Sequence, residues 1–434
     1  MKNASSFKLQ SLPLSIDLQA RDAFFAYYVT STSKTFNFLA RFYHPTDSSD
    51  YLTLAIEAVS LAFLWHQVYS DAALASARER YIRALHLTNK ALKSPKEVAK
   101  DTTLLAALLL DLFEKITDSE PQTNKSWRSH MDGALALVNL RGLERFKDPS
   151  EFRVLVRLST NYLISCVASG SAVPEDLIAI RAYAGKHLNV QDPKWRLSDL
   201  MVLYANLRSS SQKGILSYDE CIAVSVELDR KLKVLDLDMP PSWQYSTTFL
   251  SQKSERVFDL HFDSYPDRNV TQARNVLRLV RILLNESLIE LYLPLNEDEK
   301  NVSFLNMAHK NIEKLAGEIC ASVTQYVDCD GAARTRLSAS EKPEDSDRGI
   351  DETSHPHTPN HKMDCYTLIF PLYVAGRSKA AANSVRPWVI RQLYYVSNHF
   401  YIRNAELVAQ ILEMGTDVSP WEVYAMLGSY ALAA

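Results

Sequence analysis

SWRSHMDGALALVNLRG, residues 126–142, holds the first decision about this chain. Trp127 and His130 stand three apart, where a base and an aromatic wall could frame a reaction. The same spacing also packs one helix onto another. Read as a helix over 127–140, Trp127, Met131, Ala134, Leu135 and Val138 share one face at i, i+4, i+7, i+8 and i+11. Gly133 costs up to about 1 kcal/mol against Ala in a helix interior. The sequence therefore predicts a neighbouring helix that approaches closely at that point. Gly142 stands where a left-handed C-terminal cap belongs. His130 could serve as a general base, but no Ser or Cys nucleophile occupies a G-x-S-x-G elbow. The stretch reads as helix packing.

Glycine usage extends that reading to the whole chain. There are 11 glycines in 434 residues, against roughly 7% in average proteins. Turn-rich β folds and nucleotide-cradling α/β folds need glycines at φ > 0, so scarcity predicts an all-α protein. Hydrophobic residues at 47% and charged residues at 23% are ordinary for a globular chain with a sizeable core. At this length the core either splits or extends as an array of helices. The formal charge is −3, and no Lys/Arg-rich run appears, so nothing draws the whole chain to nucleic acid. Cysteines at 166, 221, 320, 329 and 365 are odd in number and scattered, which predicts reduced thiols and an intracellular location. MKNASSFKLQSLPLSIDLQ (1–19) has no apolar core of a secretory signal. LLAALLLDLF (104–113) is about half a membrane span and carries Asp111, so it predicts a core helix in a soluble chain with no membrane partner.

Helical periodicity runs along most of the length. Residues 20–43 read as one amphipathic helix with Phe24, Tyr27 and Tyr28 together; 51–69 is apolar nearly all round, as in a helix buried on most sides. In 77–92, Tyr81, Leu85 and Thr88 form one stripe, and Asp101-Thr102 can cap the next helix. Further helices are expected at 151–167 with Gly170 as the stop, from Pro174 to about 184, and at 195–210, 217–235 and 270–292. Alanine-rich contacts between successive helices suggest stacked pairs, and without a fixed period the array is irregular. Residues 329–364 are rich in Ser, Asp, Glu, Pro and His and nearly free of aliphatics, which predicts a disordered insertion. The expected organisation is a flexible 1–19, a helical domain over 20–328, the insertion 329–364, the same domain resuming over 365–425, and a tail 426–434.

Three further groups of residues could carry chemistry. His355, His357, His361 and Cys365 are metal-ligand types, but their spacing is loose and interrupted by proline, so no metal is expected. Arg274, Arg278 and Arg281, at i, i+4 and i+7, form a basic stripe on an otherwise apolar helix. The stripe can grip an anionic effector, or pair with acidic side chains while its aliphatic stems cover apolar surface. Asp236 and Asp238 resemble a carboxylate pair, but they lead into a Pro-Pro turn without a partner His and read as a solvated loop. No P-loop, dinucleotide fingerprint or H-E-x-x-H is present, so no cofactor and no catalytic residue are expected.

Several stretches, taken in order, resemble the fungal-specific transcription factor domain, the helical region of fungal zinc-cluster regulators. They are TLLAALLLDLFE (103–114), SWRSHMDGALALVNLRG (126–142), FRVLVRLSTNYLISCVASGSAVPEDL (152–177) and LDRKLKVLDLDMPPSWQY (228–245). ARNVLRLVRILLNESL (273–288), FPLYVAGRS (370–378), RPWVIRQLYYV (386–396) and DVSPWEVY (417–424) complete the series. The resemblance spans about 20–425. It implies an all-α fold, a nuclear location and control of transcription, often of a pathway or secondary-metabolite gene cluster. It also implies that Trp127, His130, Gly133, Arg278, Pro240, Trp243 and Trp388 are packing determinants.

Such regulators carry a six-cysteine, two-zinc module that contacts DNA. Here no cysteine precedes Cys166, and Cys320 and Cys329 have the wrong place and spacing. The expectation is a regulator or co-regulator without its own DNA-binding module. It would act through other transcription regulators, such as a related full-length factor, or through a small-molecule effector. A non-catalytic interaction scaffold is the alternative, followed by an enzyme without a recognisable motif.

Overall fold

A computed structural model describes residues 15–30, 36–43, 50–68, 70–117, 126–293, 299–327 and 359–427. Packing divides the chain after Thr117 into two compact units.

In the first unit, Ser15 caps α1 (Ile16–Phe24) by accepting a hydrogen bond from the Leu18 N–H at 3.4 Å. The helix passes into a wider π-turn at Phe25–Thr30, where the Thr30 hydroxyl bonds back to the carbonyls of Phe25 and Ala26. The expected single helix over 20–43 does not form. The Phe36 N–H instead donates to the Tyr28 carbonyl at 2.9 Å, and only Leu39–Phe42 (α2) is helical again. The Thr30 hydroxyl competes for backbone bonds where the helix widens, and such competition weakens a helix in its interior. The turn gathers Phe24, Tyr28, Phe36 and Phe63 into an aromatic cluster, with Tyr28 edge-on to Phe63 at 5.5 Å. Helix α3 (Tyr51–Val68) is buried nearly all round, as its composition requires. Against it lie α4 (Asp71–Ala91) and α5 (Asp101–Thr117). The buried face of α4 is Ala73, Ala77, Ala84, Thr88 and Ala91. Of the expected stripe only Thr88 is fully buried, although Tyr81 stacks on Phe113 at 4.4 Å.

The second unit begins with α6 (Ser126–Arg141), α7 (Pro149–Ser169), α8 (Glu175–Gly185), α9 (Pro193–Gln212) and α10 (Tyr218–Leu237). Local chemistry sets these limits. Asp148 and Glu151 form a reciprocal capping box around Pro149, and Gly170 ends α7 in the left-handed region at φ 64°. Ser217 and Glu220 repeat the box on α10. A short antiparallel hairpin follows, β1 (Ser246–Phe249) on β2 (His261–Ser264), in register from Ser246↔Ser264 to Phe249↔His261. Helices α11 (Arg268–Tyr292), α12 (Glu299–Ala321) and α13 (Thr324–Val327) come next. After them stand α14 (Pro359–Tyr366), α15 (Ile369–Arg377), α16 (Val385–Phe400), α17 (Arg403–Met414) and α18 (Pro420–Leu427).

The fold is all-α, with the hairpin as its one strand pair among the described residues. No helix among them is long and apolar enough to cross a membrane. Most of the expected insertion, 329–358, lies outside the described residues, and helix resumes at Pro359 rather than near residue 365.

On α6, Met131, Ala134, Leu135 and Val138 are buried together as expected. Gly133 is not a close-approach site: it is exposed, and a Cβ there would meet nothing within 4 Å. Gly142 has positive φ (75°) but ψ of 138°, so it turns the chain without forming the expected left-handed cap. The close approach occurs at Gly376 on α15, where a Cβ would stand 3.0 Å from Val389 Cγ1 and 3.1 Å from Leu412 Cδ1.

Candidate functional site

Helix α11 runs through the core of the second unit with every residue from Val270 to Asn285 buried. Asp267 fixes its start by accepting from the Val270 N–H at 2.9 Å. A helix enclosed on all sides cannot turn Arg274, Arg278 and Arg281 towards water, so each guanidinium must find its partners inside.

Each does. Arg274 pairs with Asp236 at 2.6 Å and donates through Nε and Nη2 to the Trp243 carbonyl at 3.2 and 3.1 Å, with its plane 5.0 Å from the Tyr245 ring. Arg278, 1% exposed, is the largest of the fully buried side chains. It pairs with Glu318 on α12 at 3.1 Å and donates to the Tyr265 hydroxyl at 2.8 Å and to Asn275 Oδ1 at 3.1 Å. Burial opposes its charge, but Tyr265 and Glu318 outweigh that and raise its pKa. Arg281 makes a two-pronged contact with Asp229 at 2.8 and 3.2 Å. Asn285 donates to the same carboxylate and accepts from Asn311.

The pattern on α10 mirrors that on α11. Asp229 and Asp236 are i, i+7, as are Arg274 and Arg281, and the pairs cross in antiparallel order. The ion-pairing alternative is thus how these side chains are arranged. An anionic effector at this stripe would have to displace carboxylates already in place. Asp236 is not the idle loop residue expected from its neighbourhood: it stands in the last turn of α10 and holds Arg274, while Asp238 pairs with Arg196 at 3.2 Å. The hairpin adds a further tier, since Tyr265 donates to Asp263, which accepts from Thr247 at 2.7 Å.

The other expected positions divide. Pro240 leads into a 3-10 turn at Pro241–Trp243, and Trp243 supplies the carbonyl that Arg274 uses. Trp388 is 5% exposed and edge-on to Phe258 at 5.5 Å. The backbones of Trp127 and His130 lie in α6, but their side chains fall outside the described residues, as do His355 and His357. His361 and Cys365 both point to one backbone carbonyl, that of Tyr326, at 2.7 and 3.4 Å. Among the described residues, no group of His, Cys, Asp and Glu could hold a metal ion. On α9, Arg208 lies 4.7 Å from the Trp421 ring with no hydrogen-bond partner on Nε; burial lowers its pKa and pushes neighbouring Tyr204 up to about 12.

The fold and its buried ion pairs define a helical domain whose conspicuous charged residues serve its own architecture. Residues 22–238 match the model of the fungal specific transcription factor domain, and the chain belongs to that family. The family is one of transcription regulators. The match ends at the close of α10, so the hairpin and α11–α18 lie beyond it. No curated protein and no solved structure matches the chain.

Proposed function

We propose that this chain regulates transcription from the nucleus by binding other regulators, without contacting DNA through a zinc cluster of its own. The supporting observation is the family match over 22–238, within which Cys166 and Cys221 are the only cysteines and lie far apart. A two-zinc cluster needs closely spaced thiolates on a rigid scaffold. The four cysteines that the structure describes are buried. The regulated genes form a confined set, such as a pathway or secondary-metabolite cluster, and the immediate partner is a related full-length factor. A small effector bound between helices is a compatible trigger.

Deleting the gene and restoring the full chain tests this. Transcript levels of a limited gene group should shift on deletion and recover on restoration, and the tagged protein should accumulate in the nucleus. An unchanged profile under inducing conditions would remove the reading. A cytoplasmic protein with stable non-nuclear partners would favour a scaffold role instead.

A further inference from the structure

Helices α8, α9 and α10 carry two adjoining grooves that share Asp199. The first, between α8 and α9, has a volume of about 470 Å³ and is walled by Ile178, Ala182, Val190, Trp195 and Val202. The second, between α9 and α10, has a volume of about 290 Å³ and is lined by Leu200, Val234 and Leu235 with Arg196, Arg230 and Lys231. Apolar side chains stand open to water here: Ile178 is 42% exposed, Val190 40% and Val234 39%. Isolated exposed residues need no explanation, but a run of them along grooves marks a contact surface.

The charge around the grooves is one-sided. Arg181, Lys186, Arg196, Arg230 and Lys231 line them, against the single carboxylate of Asp199. The chain as a whole is net negative, so this lining departs from its overall charge balance. Arg196 has a partner in Asp238, and Arg230 and Lys231 share Glu227, but those carboxylates are 54% and 47% exposed. Pairs so open to solvent are weak and exchange readily. Arg181 alone is built in: it is buried, lies over the Trp195 ring at 4.7 Å and donates to Ser198 at 2.8 Å. It pairs with Asp199 as well. This fixes the Trp195 ring as a firm wall of the first groove.

We propose that this face docks an acidic amphipathic helix of a partner protein. Its apolar side chains would enter the groove beside Ile178, Trp195 and Val202, and its carboxylates would meet Arg196, Arg230 and Lys231 across α9. Apolar anchors in a groove with complementary charge at the rim is the usual division of labour for helix recognition. Nucleic acid fits less well, because an apolar trough gives a phosphate backbone nothing to bind. The proposal gives a chemistry to the partner in the functional reading above and rests on that reading for its biological meaning.

A fluorescently labelled peptide of about 18 residues, helical with Glu on one face and Leu and Phe on the other, is titrated with the full chain. Two further peptides carry Lys for Glu, or the same composition with the faces scrambled. The designed peptide should bind saturably and the other two at least about tenfold more weakly. Arg230→Glu/Lys231→Glu and Ile178→Asp should each weaken it by about tenfold, and raised salt should affect chiefly the charged contribution. All three positions are exposed, so the variants should melt like the parent, and Ala182→Glu in the same groove is a further check. Three results would overturn the proposal: no saturable binding of the designed peptide, equal binding of the scrambled one, or indifference to all these substitutions. Displacement of the peptide by octanoate, with no effect of the Arg230/Lys231 variant, would assign the groove to small amphiphiles instead. Peptide binding alongside an unchanged transcript profile would keep the docking face and remove the regulatory reading.

Discussion

Helices α3 and α11 occupy the same kind of position, each enclosed along nearly its whole length in its own compact unit, yet they are enclosed by opposite means. The walls of α3 are apolar: Leu54, Ala55, Ile56, Ala58, Val59 and Phe63 are at most 1% exposed. Those of α11 include three guanidinium groups, each matched by a carboxylate from another helix. Apolar burial is non-directional, so α3 can slide or rotate slightly with only a gradual change in energy. A two-pronged Arg–Asp contact tolerates no such slip. The difference teaches that α11 is held in register by pairing along its buried length, while α3 is held chiefly by volume, with the Glu57–Arg80 pair at its margin.

The sharpest way to break this comparison is Arg278→Ala, which leaves Glu318 and Tyr265 facing a cavity. It should cost about 3–5 kcal/mol in chemical denaturation. The shape-matched pair Arg278→Met/Glu318→Leu should recover most of that, since buried ion pairs often break even against apolar isosteres. If the double variant stays as unstable as the single one, pairing does more than offset its own desolvation. On the other side, Ile56→Ala in α3 should cost about 2–4 kcal/mol, with no dependence on salt. Asp229→Asn comes next, at about 1–3 kcal/mol, because Arg281 keeps hydrogen bonds but loses its countercharge. The smallest effect tests a helix surface bound by neither device. Gly133→Ala on α6 should raise stability by about 0.5–1 kcal/mol, as a Cβ meets open space there. A loss would show that an unseen contact uses the gap.

The sequence made one half of this comparison legible and only part of the other. The all-round apolar run at 51–69 announced α3, and Gly170 marked the end of α7, whose start at Pro149 lies two residues before the expected one. The arginine spacing was visible too, but its partners lie 38, 40 and 52 positions away. Two of them, Asp229 and Asp236, repeat the i, i+7 interval of Arg274 and Arg281, a signal that matching intervals between helices could have revealed. Nothing comparable pointed to Glu318. The hairpin escaped because each strand has four residues and β1 is exposed at all of them, so no alternation marks it. Gly133 misled because helix geometry says where a glycine sits but not whether another element arrives. That depends on chain segments far away, as Gly376 shows against Val389 and Leu412.

The Tyr326 carbonyl, which receives both His361 and Cys365, has one more consequence. It clasps the chain just before residue 328 to the chain just after 358, so the two ends of that stretch are pinned side by side whatever lies between them. The clasp therefore makes α13 and α14 a single seat, each helix end holding the other in place.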